Sequence, residues 1–502
     1  MIPRRKPTIG QKQALSAGPA LVLLLLFAVT CQAQMQGSAG RSSSGANPSG
    51  DNSMPAAPSS YSTSGSQNVF YGSVPEGKAS STVLSLSFKD AIDRALRNNL
   101  GLLIGSDNEL AAKGQKWQEL SHLLPNVSAA TTQAAEQIDL EALGFRFALP
   151  GIPTVIGPVG TFDSRVYMSF PFFDWHAIQR ERGARTQETA ANYNYKNARE
   201  LVVLATGNAY LLTIAASARV DAAQAQVETA QALYNKARDQ QTAGVTPAID
   251  TLRAQVEYQN RQQQLIFARN NYAKQKLQLA RTIGLPLGQE FNLTDTAPYQ
   301  PLAPLDLDVA LHRAYADRPD YQAAVQQVLS AEHFRSAATA EHLPTLQFDG
   351  NYGAAGINIG NSHGVFQAGA TLVIPIFAGN RAYADKLQAE ATLRQSQQQL
   401  ANLRAQIDYD VRTALLDLSA AADQVQVAKS SLDLANQTLS QARDRFTAGV
   451  ADNLEVIQAQ ESLATANESY ITSLYAHNVA KVELARAIGF AEQGVKQYLE
   501  SK

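Results

Sequence analysis

Apolar residues recur every seven positions along two long segments of the chain. Residues 381–448, which form one of these segments, contain neither glycine nor proline. The two rows are Leu393, Leu400, Ile407, Ala414, Ala421, Ala428, Ala435 and Ala442, and Tyr195, Val202, Ala209, Ala216, Ala223, Ala230 and Ala237. A sustained seven-residue repeat predicts a coiled-coil helix. Because alanine lets backbones approach closely, we expect these helices to pack side by side as a wall.

Other segments alternate between apolar and polar residues. The alternation is regular in residues 345–354, 366–376 and 165–172, and poor from Asn126 to about Ile138. Period two predicts strands with one apolar and one polar face, as in a soluble hairpin or a membrane-facing sheet. Aromatic residues that would form an interfacial belt follow the strands: Phe172, Phe173, Trp175 and Phe377. A belt of this kind marks the edge of a membrane.

Shorter helical patterns complete each unit. They cover residues 88–123, 308–342, 249–283 and 454–488. The first two end before a Leu-Pro pair, since the residue before proline disfavours helical backbone. Glycines 244 and 449, each followed by valine, supply the turns between a long helix and its returning partner. At 1.5 Å per residue, a helix of about 65 residues spans roughly 100 Å, and two shorter helices of roughly 55 Å match it end to end.

The chain repeats itself. Thr242-Ala243-Gly244-Val245 returns as Thr447-Ala448-Gly449-Val450, an offset of 205 residues, and the offset holds as far as Ile283 and Ile488. We therefore predict an internally duplicated, mainly α protein with β-strands. Its segments are a signal peptide (1–33), a Ser/Gly/Pro-rich disordered leader (34–83), a first repeat (84–284), a Pro-rich equatorial linker (285–306), a second repeat (307–490) and a C-terminal tail (491–502).

The first residues are typical of a secreted protein. Arg4, Arg5 and Lys6 precede an apolar run and then small residues. Cys31 is either removed with the signal or acylated as the first mature residue. After the leader we expect no apolar stretch of about 18 residues, so that membrane passage would use strands. Four strands per chain cannot close a barrel, whereas two copies would supply 8 and three would supply 12.

Charge and motifs argue against several function classes. The 42 basic and 44 acidic residues nearly cancel, so nucleic acid is not a predicted partner. The 7 histidines are scattered, and neither a His-Glu-x-x-His metal motif nor a phosphate-binding loop occurs. We predict no enzyme activity, no cofactor and no metal site.

The paired turns and the sequences after them resemble those of the outer-membrane efflux protein (TolC) family. The resemblance runs from about Leu84 to Phe490. It implies a homotrimer with a 12-stranded transmembrane β-barrel, continued by a long coiled-coil helical barrel in the periplasm of a Gram-negative-type cell. The implied partners are outer-membrane lipids, a periplasmic adaptor (membrane-fusion) protein and an inner-membrane transporter.

The family motif also implies functional positions at the two turns. Acidic residues just after the second glycine narrow the aperture in the family, and the motif falls here on Glu455, with Gln458 at the next acidic position and Asp452 as an additional acid. The turn residues Gly244, Val245, Gly449 and Val450, with Arg238, Asp239, Arg443 and Asp444, would lie where an adaptor docks. The four charged residues are equally compatible with an ordinary solvated helix face.

The predicted function is that of an outer-membrane channel in a tripartite efflux system, a passive exit duct for small molecules. Two alternatives stay open: the outer-membrane duct of a type I protein secretion system, and a periplasmic coiled-coil scaffold without a pore. The sequence names no cargo.

Overall fold

The fold was analysed in a computed structural model that describes residues 69–139, 141–142, 154–295, 299–303 and 305–494. The predicted signal peptide, Cys31 and most of the predicted leader lie outside these residues. The helices are α1 (Phe88–Asn98), α2 (Leu100–Ser121), α3 (Trp175–Thr242), α4 (Ala248–Ile283), α5 (Leu307–Asp317), α6 (Pro319–Ala340), α7 (Arg381–Thr447) and α8 (Asn453–Ala487). The strands are β1 (Leu84–Leu86), β2 (Asn126–Asp139), β3 (Val155–Phe173), β4 (Phe291–Leu293), β5 (Thr345–Gly356) and β6 (Ser362–Val373).

Four strands form one antiparallel sheet in the order β2-β3-β5-β6. Each half of the chain supplies one hairpin, and β3 joins the halves by pairing with β5. The poorly alternating segment after Asn126 is a strand, as predicted. We predicted that the last strand would continue to Ile376, but β6 ends at Val373. Pro375 lacks an amide hydrogen and cannot continue the ladder.

The helices follow the same lateral order as the strands. Beside the sheet, α2 packs on α3, α3 on α6, and α6 on α7. Farther away, α4 packs on α3, α3 on α8, and α8 on α7. The two outgoing helices are 68 and 67 residues long, or about 100 Å. In the sheet and in these two helix layers, one open side therefore belongs to β2, α2 or α4, and the other belongs to β6 or α7.

The seven-residue rows lie in the helix interfaces, as predicted. Their members are buried, except that Tyr195 and Leu400 are half-buried. A second row with larger side chains, which the alanine pattern did not reveal, runs beside the first in α7: Val411, Val425, Leu439 and Phe446 are all buried. The seam thus combines small and large side chains, which is the usual arrangement of knobs and holes.

Each short helix predicted to precede the strands is in fact two helices. Residues 88–123 break at Asn99 and residues 308–342 break at Arg318, both of which have extended backbone. Arg318 precedes Pro319, which disfavours helical backbone at Arg318. Asn99 is buried, and its side chain accepts a hydrogen bond of 2.9 Å from the amide of Gly101, so that it caps α2. The prediction of continuous helices was wrong at these two positions.

The boundaries predicted for the leader and the tail also need correction. Residues 69–83 are structured: Phe70 packs against the apolar core around Tyr210, and Val74 donates a backbone hydrogen bond to Asn98. At the other end, Ala491 is buried and its amide donates to the carboxylate of Glu200. Both terminal segments therefore attach to the equator of the molecule, where β1 and β4 also pair.

Helix α3 contains an apolar stretch that was not predicted. By length and composition, one 18-residue window in α3 is apolar enough to cross a membrane, contrary to the prediction that no such stretch follows the leader. However, 67% of that window is buried inside the protein. Its apolar character matches the core that α3 forms at the equator with Ile92, Leu279 and Phe291. A buried core helix meets the same criterion, so the window is weak evidence for a membrane span.

Candidate functional site at the paired hairpin tips

The two long hairpins end in the same turn. The first tip (residues 243–247) and the second tip (residues 448–452) contain Gly244 with φ 72° and Gly449 with φ 73°. Each turn is closed by a backbone hydrogen bond, from Val245 to Gln240 at 2.9 Å and from Val450 to Arg445 at 3.1 Å. This is the helix-ending motif in which glycine supplies the left-handed residue.

The predicted docking residues surround these turns on exposed positions. Val245 and Val450 are 72% and 71% exposed, so each tip presents a valine side chain to solvent. The four charged candidates, Arg238, Asp239, Arg443 and Asp444, are exposed as well. Their adaptor contacts stay a prediction.

Contacts between the hairpins hold the two tips together. Lys236 Nζ donates to Thr447 Oγ1 at 2.7 Å, and Asn453 Nδ2 donates to the carbonyl oxygen of Asp250 at 3.0 Å. Beneath these polar contacts lies a small apolar cluster that includes Leu233 from α3 and Phe446 from α7. The hydrogen bond from Asn453 to Asp250 brings the starts of α4 and α8 side by side, so the charged residues that follow both tips lie in one region.

The three predicted aperture residues differ in their surroundings. Asp452 is the N-cap of α8, because its Oδ1 accepts a hydrogen bond of 3.2 Å from the amide of Glu455. The carboxylate of Glu455 lies 3.4 Å from Arg445 Nη1. Gln458 is exposed and neutral. The one acid that the family motif placed at the aperture therefore has a cationic partner within its own hairpin.

The carboxylate just after the first tip, Asp250, was not among the predicted site residues. Asp250 lies six residues after Gly244, as Glu455 lies six residues after Gly449. Its Oδ1 is 3.6 Å from Arg253 Nη1. The 205-residue offset could have identified Asp250 as the counterpart of Glu455, but no sequence signal predicted either arginine partner.

A buried arginine that the sequence did not reveal joins the hairpins farther from the tips. The side chain of Arg261 on α4 is only 4% exposed, and its Nε lies 2.5 Å from the carboxylate of Glu257. Its Nη2 reaches Glu461 of α8 at 3.2 Å. The corresponding position in the second repeat is Ala466. This contact therefore belongs to the first repeat alone and bridges the two halves of the chain.

The predicted aromatic belt lies at the opposite end of the long helices. Phe172, Phe173 and Phe377 are exposed, and Trp175 begins α3 with the guanidinium of Arg182 5.7 Å from its ring centre. Close to them, Arg180 donates two hydrogen bonds to Glu119, which hold the pKa of that carboxyl below its usual range. The junction between sheet and helices thus combines exposed aromatic rings with an ion pair.

Comparison with known proteins identifies the family of this chain. The sequence pattern of the family "Outer membrane efflux protein" matches residues 91–285 and 310–490, one match in each half of the chain. The chain belongs to the outer membrane efflux protein family. The protein is thus an outer-membrane channel of the kind that forms homotrimers and works with a periplasmic adaptor and an inner-membrane transporter, and the predicted TolC-family membership is confirmed.

Individual relatives are distant. Alkaline protease secretion protein AprF of Pseudomonas aeruginosa is 22% identical over 66% of this chain and 70% of its own length. Outer membrane protein TolC of Escherichia coli is 22% identical over 64% of this chain and 67% of its own. The crystal structure of outer membrane protein VceC from Vibrio cholerae has a TM-score of 0.68 with 18% identity, covering 80% of this chain and 96% of that one. The VceC structure shares the fold of this chain although few residues are identical.

Proposed function

We propose that three copies of this chain close into one tube, with twelve strands forming a barrel across the outer membrane and the helices forming its periplasmic continuation. The tube is a passive exit duct for small molecules. The observation that carries this proposal is the shared lateral order of sheet and helices. Because the same two sides are open in the sheet and in both helix layers, one copy can join the next in each of these layers, and repetition of a head-to-tail contact generates a ring.

The open sides carry apolar stripes. On α7, at about 100° per residue, five of the six large apolar residues that are exposed lie within about 20° of one line: Leu387, Tyr409, Leu416, Val427 and Leu434. Tyr383 lies about 60° from this line. This line is opposite the buried seam that contains Val425. Apolar surface of this extent on a single copy is typical of a protein interaction site.

The other open side carries matching stripes. On α2 the exposed residues Leu103, Leu110 and Trp117 stand seven apart, as in a coiled-coil seam. On α4, Leu252 and Val256 lie opposite the buried face of that helix. The lateral order would bring α7 of one copy against α2 and α4 of the next.

A single charge on the α7 stripe tests this assembly. Leu416, 71% exposed in one copy, would be buried between copies, so Leu416→Asp should abolish the trimer in detergent while leaving the helix content of the chain unchanged. Gln426→Asp is the matched control, because Gln426 is exposed about 80° away from the stripe on the same helix. If Leu416→Asp leaves the trimer intact in size-exclusion chromatography with light scattering, this arrangement of copies is wrong.

The tips are the proposed docking site of the adaptor. They present Val245 and Val450 among exposed charges, and no helix of the described chain covers them. Cysteine placed at either valine should crosslink to the cognate adaptor, whereas cysteine at exposed Gln397 on α7, about 75 Å away along the helix, should not.

Protein export is the second candidate, because one relative is named as a protease secretion protein. The two candidates differ in what a deletion strain loses. Failure to extrude small toxic compounds, with the set of secreted proteins unchanged, supports efflux. Loss of a secreted protein with unchanged drug sensitivity supports secretion.

A further inference from the structure

We propose that Arg445 and Arg253 are specificity-determining residues that neutralise the acidic groups of the aperture, so that the narrow end of the duct does not select cations. This inference rests on the proposed function, which places the tips around the exit path. It concerns two arginines to which the family resemblance assigns no role.

Just after the second tip, the acid Glu455 forms an ion pair across the hairpin with Arg445. Arg445 lies in the last turn of α7 and Glu455 in the first turn of α8, with Nη1 and Oε1 3.4 Å apart. Both side chains reach solvent. Because the two residues belong to one hairpin, their pairing does not depend on how far neighbouring hairpins separate. The pair can therefore persist in an open tube.

The first tip reaches the same charge balance with a different residue. Asp250 pairs with Arg253, one turn farther along α4, at 3.6 Å. With the 205-residue offset, Arg253 corresponds to Gln458, and Arg445 corresponds to Gln240. The two repeats therefore place arginine at different positions beside equivalent carboxylates. Divergent copies that retain the same neutral pairing indicate a constraint on charge rather than on any one position.

Asp452, the acid within the second tip, also has a hydrogen-bond partner. Asp452 directs its Oδ1 to the amide of Glu455, where the positive end of the α8 dipole offsets its charge. Asn453 holds the two tips together through the carbonyl of Asp250, so both ion pairs lie in the same region. A solute that passes Asp250 and Glu455 meets paired charges, whose field falls off faster with distance than that of an unpaired carboxylate.

Removal of either arginine should make the duct cation-selective. A monovalent ion about 7 Å from an unpaired charge in water gains about RT, so one uncovered carboxylate per copy should raise the cation-to-anion permeability ratio by about threefold or more. The measurement is the reversal potential of the full-length trimer in planar bilayers under a KCl gradient. We expect Arg445→Gln and Arg253→Gln to shift it toward cations, Glu455→Gln to shift it toward anions, and Arg445→Gln/Glu455→Gln to restore the wild-type value.

Arg412→Gln is the matched control. Arg412 pairs with Asp408 on the same helix at 3.1 Å, is similarly exposed, and lies about 50 Å from the second tip. If Arg445→Gln and Arg412→Gln give the same reversal potential as the wild type, the inference is wrong and the duct remains. If the wild-type trimer inserts but conducts no ions, the proposed duct itself is overturned, and the assignment of the arginines with it.

Discussion

The buried arginine between the hairpins gives a sharp prediction for stability. Arg261 is 4% exposed and Glu257 is 10% exposed, so replacing Arg261 by methionine leaves a carboxylate without its cation in a mostly dry interface. Loss of one partner of a buried ion pair costs about 3–5 kcal/mol, far more than the lost contact with Glu461. Glu461 is 71% exposed, and a surface partner of this kind contributes about 0–1 kcal/mol.

Three variants separate these contributions in chemical denaturation of the detergent-solubilised protein, followed by far-ultraviolet circular dichroism. Arg261→Met should be severely destabilised and Glu461→Gln barely affected. Arg261→Met/Glu257→Met, which removes both buried charges and fills the space with apolar atoms, should recover most of the loss. If the double variant is as unstable as Arg261→Met, the lost stability reflects packing rather than an uncompensated charge, and the reasoning is refuted.

Two further predictions concern the glycines and a buried histidine. Gly449→Ala should lower the free energy of unfolding by about 1–2 kcal/mol, because Gly449 has left-handed backbone. Gly489 has a similar φ of 77°, but an alanine Cβ there would also meet the backbone of Arg318 at 2.7 Å. Gly489→Ala should therefore cost about 1–3 kcal/mol more in the same denaturation assay. Equal losses would contradict the packing argument. His477 is buried beneath Tyr299, and burial, helped by Lys481, lowers its pKa below 6.5. The unfolded chain therefore binds the proton more tightly than the folded chain, so the free energy of unfolding should fall as the pH drops below about 6.5. His477→Gln should reduce that fall between about pH 7 and pH 5.5. An unchanged pH dependence in this variant would contradict the role of His477.

The features predicted correctly from the sequence are those encoded within a few residues. A seven-residue row such as that through Ala421 and Ala428 records which side of a helix is buried, whatever packs against it. Gly244 and Gly449 mark the turns because left-handed backbone excludes most other residues. Duplication strengthened both signals, since a pattern that recurs after 205 residues is not accidental.

The features that the sequence did not reveal depend on contacts between distant segments. The break at Arg318 was readable from Pro319, but an otherwise regular helical pattern masked it. The buried position of Arg261 was not readable, because a charged residue on a helix is usually solvated and its partners are on another element. The pairing of Glu455 with Arg445 likewise requires the geometry of the folded hairpin.

The differences between the two repeats indicate where this duct departs from simple symmetry. The alanines of the seven-residue rows recur at equivalent positions, from Ala209 to Ala237 and from Ala414 to Ala442, because every wall helix must pack against its neighbours. Arg261 corresponds to Ala466, so the ion pair to Glu461 can form only once per copy, from the first hairpin to the second. A tube of three duplicated chains would therefore alternate between hairpin interfaces with and without this contact.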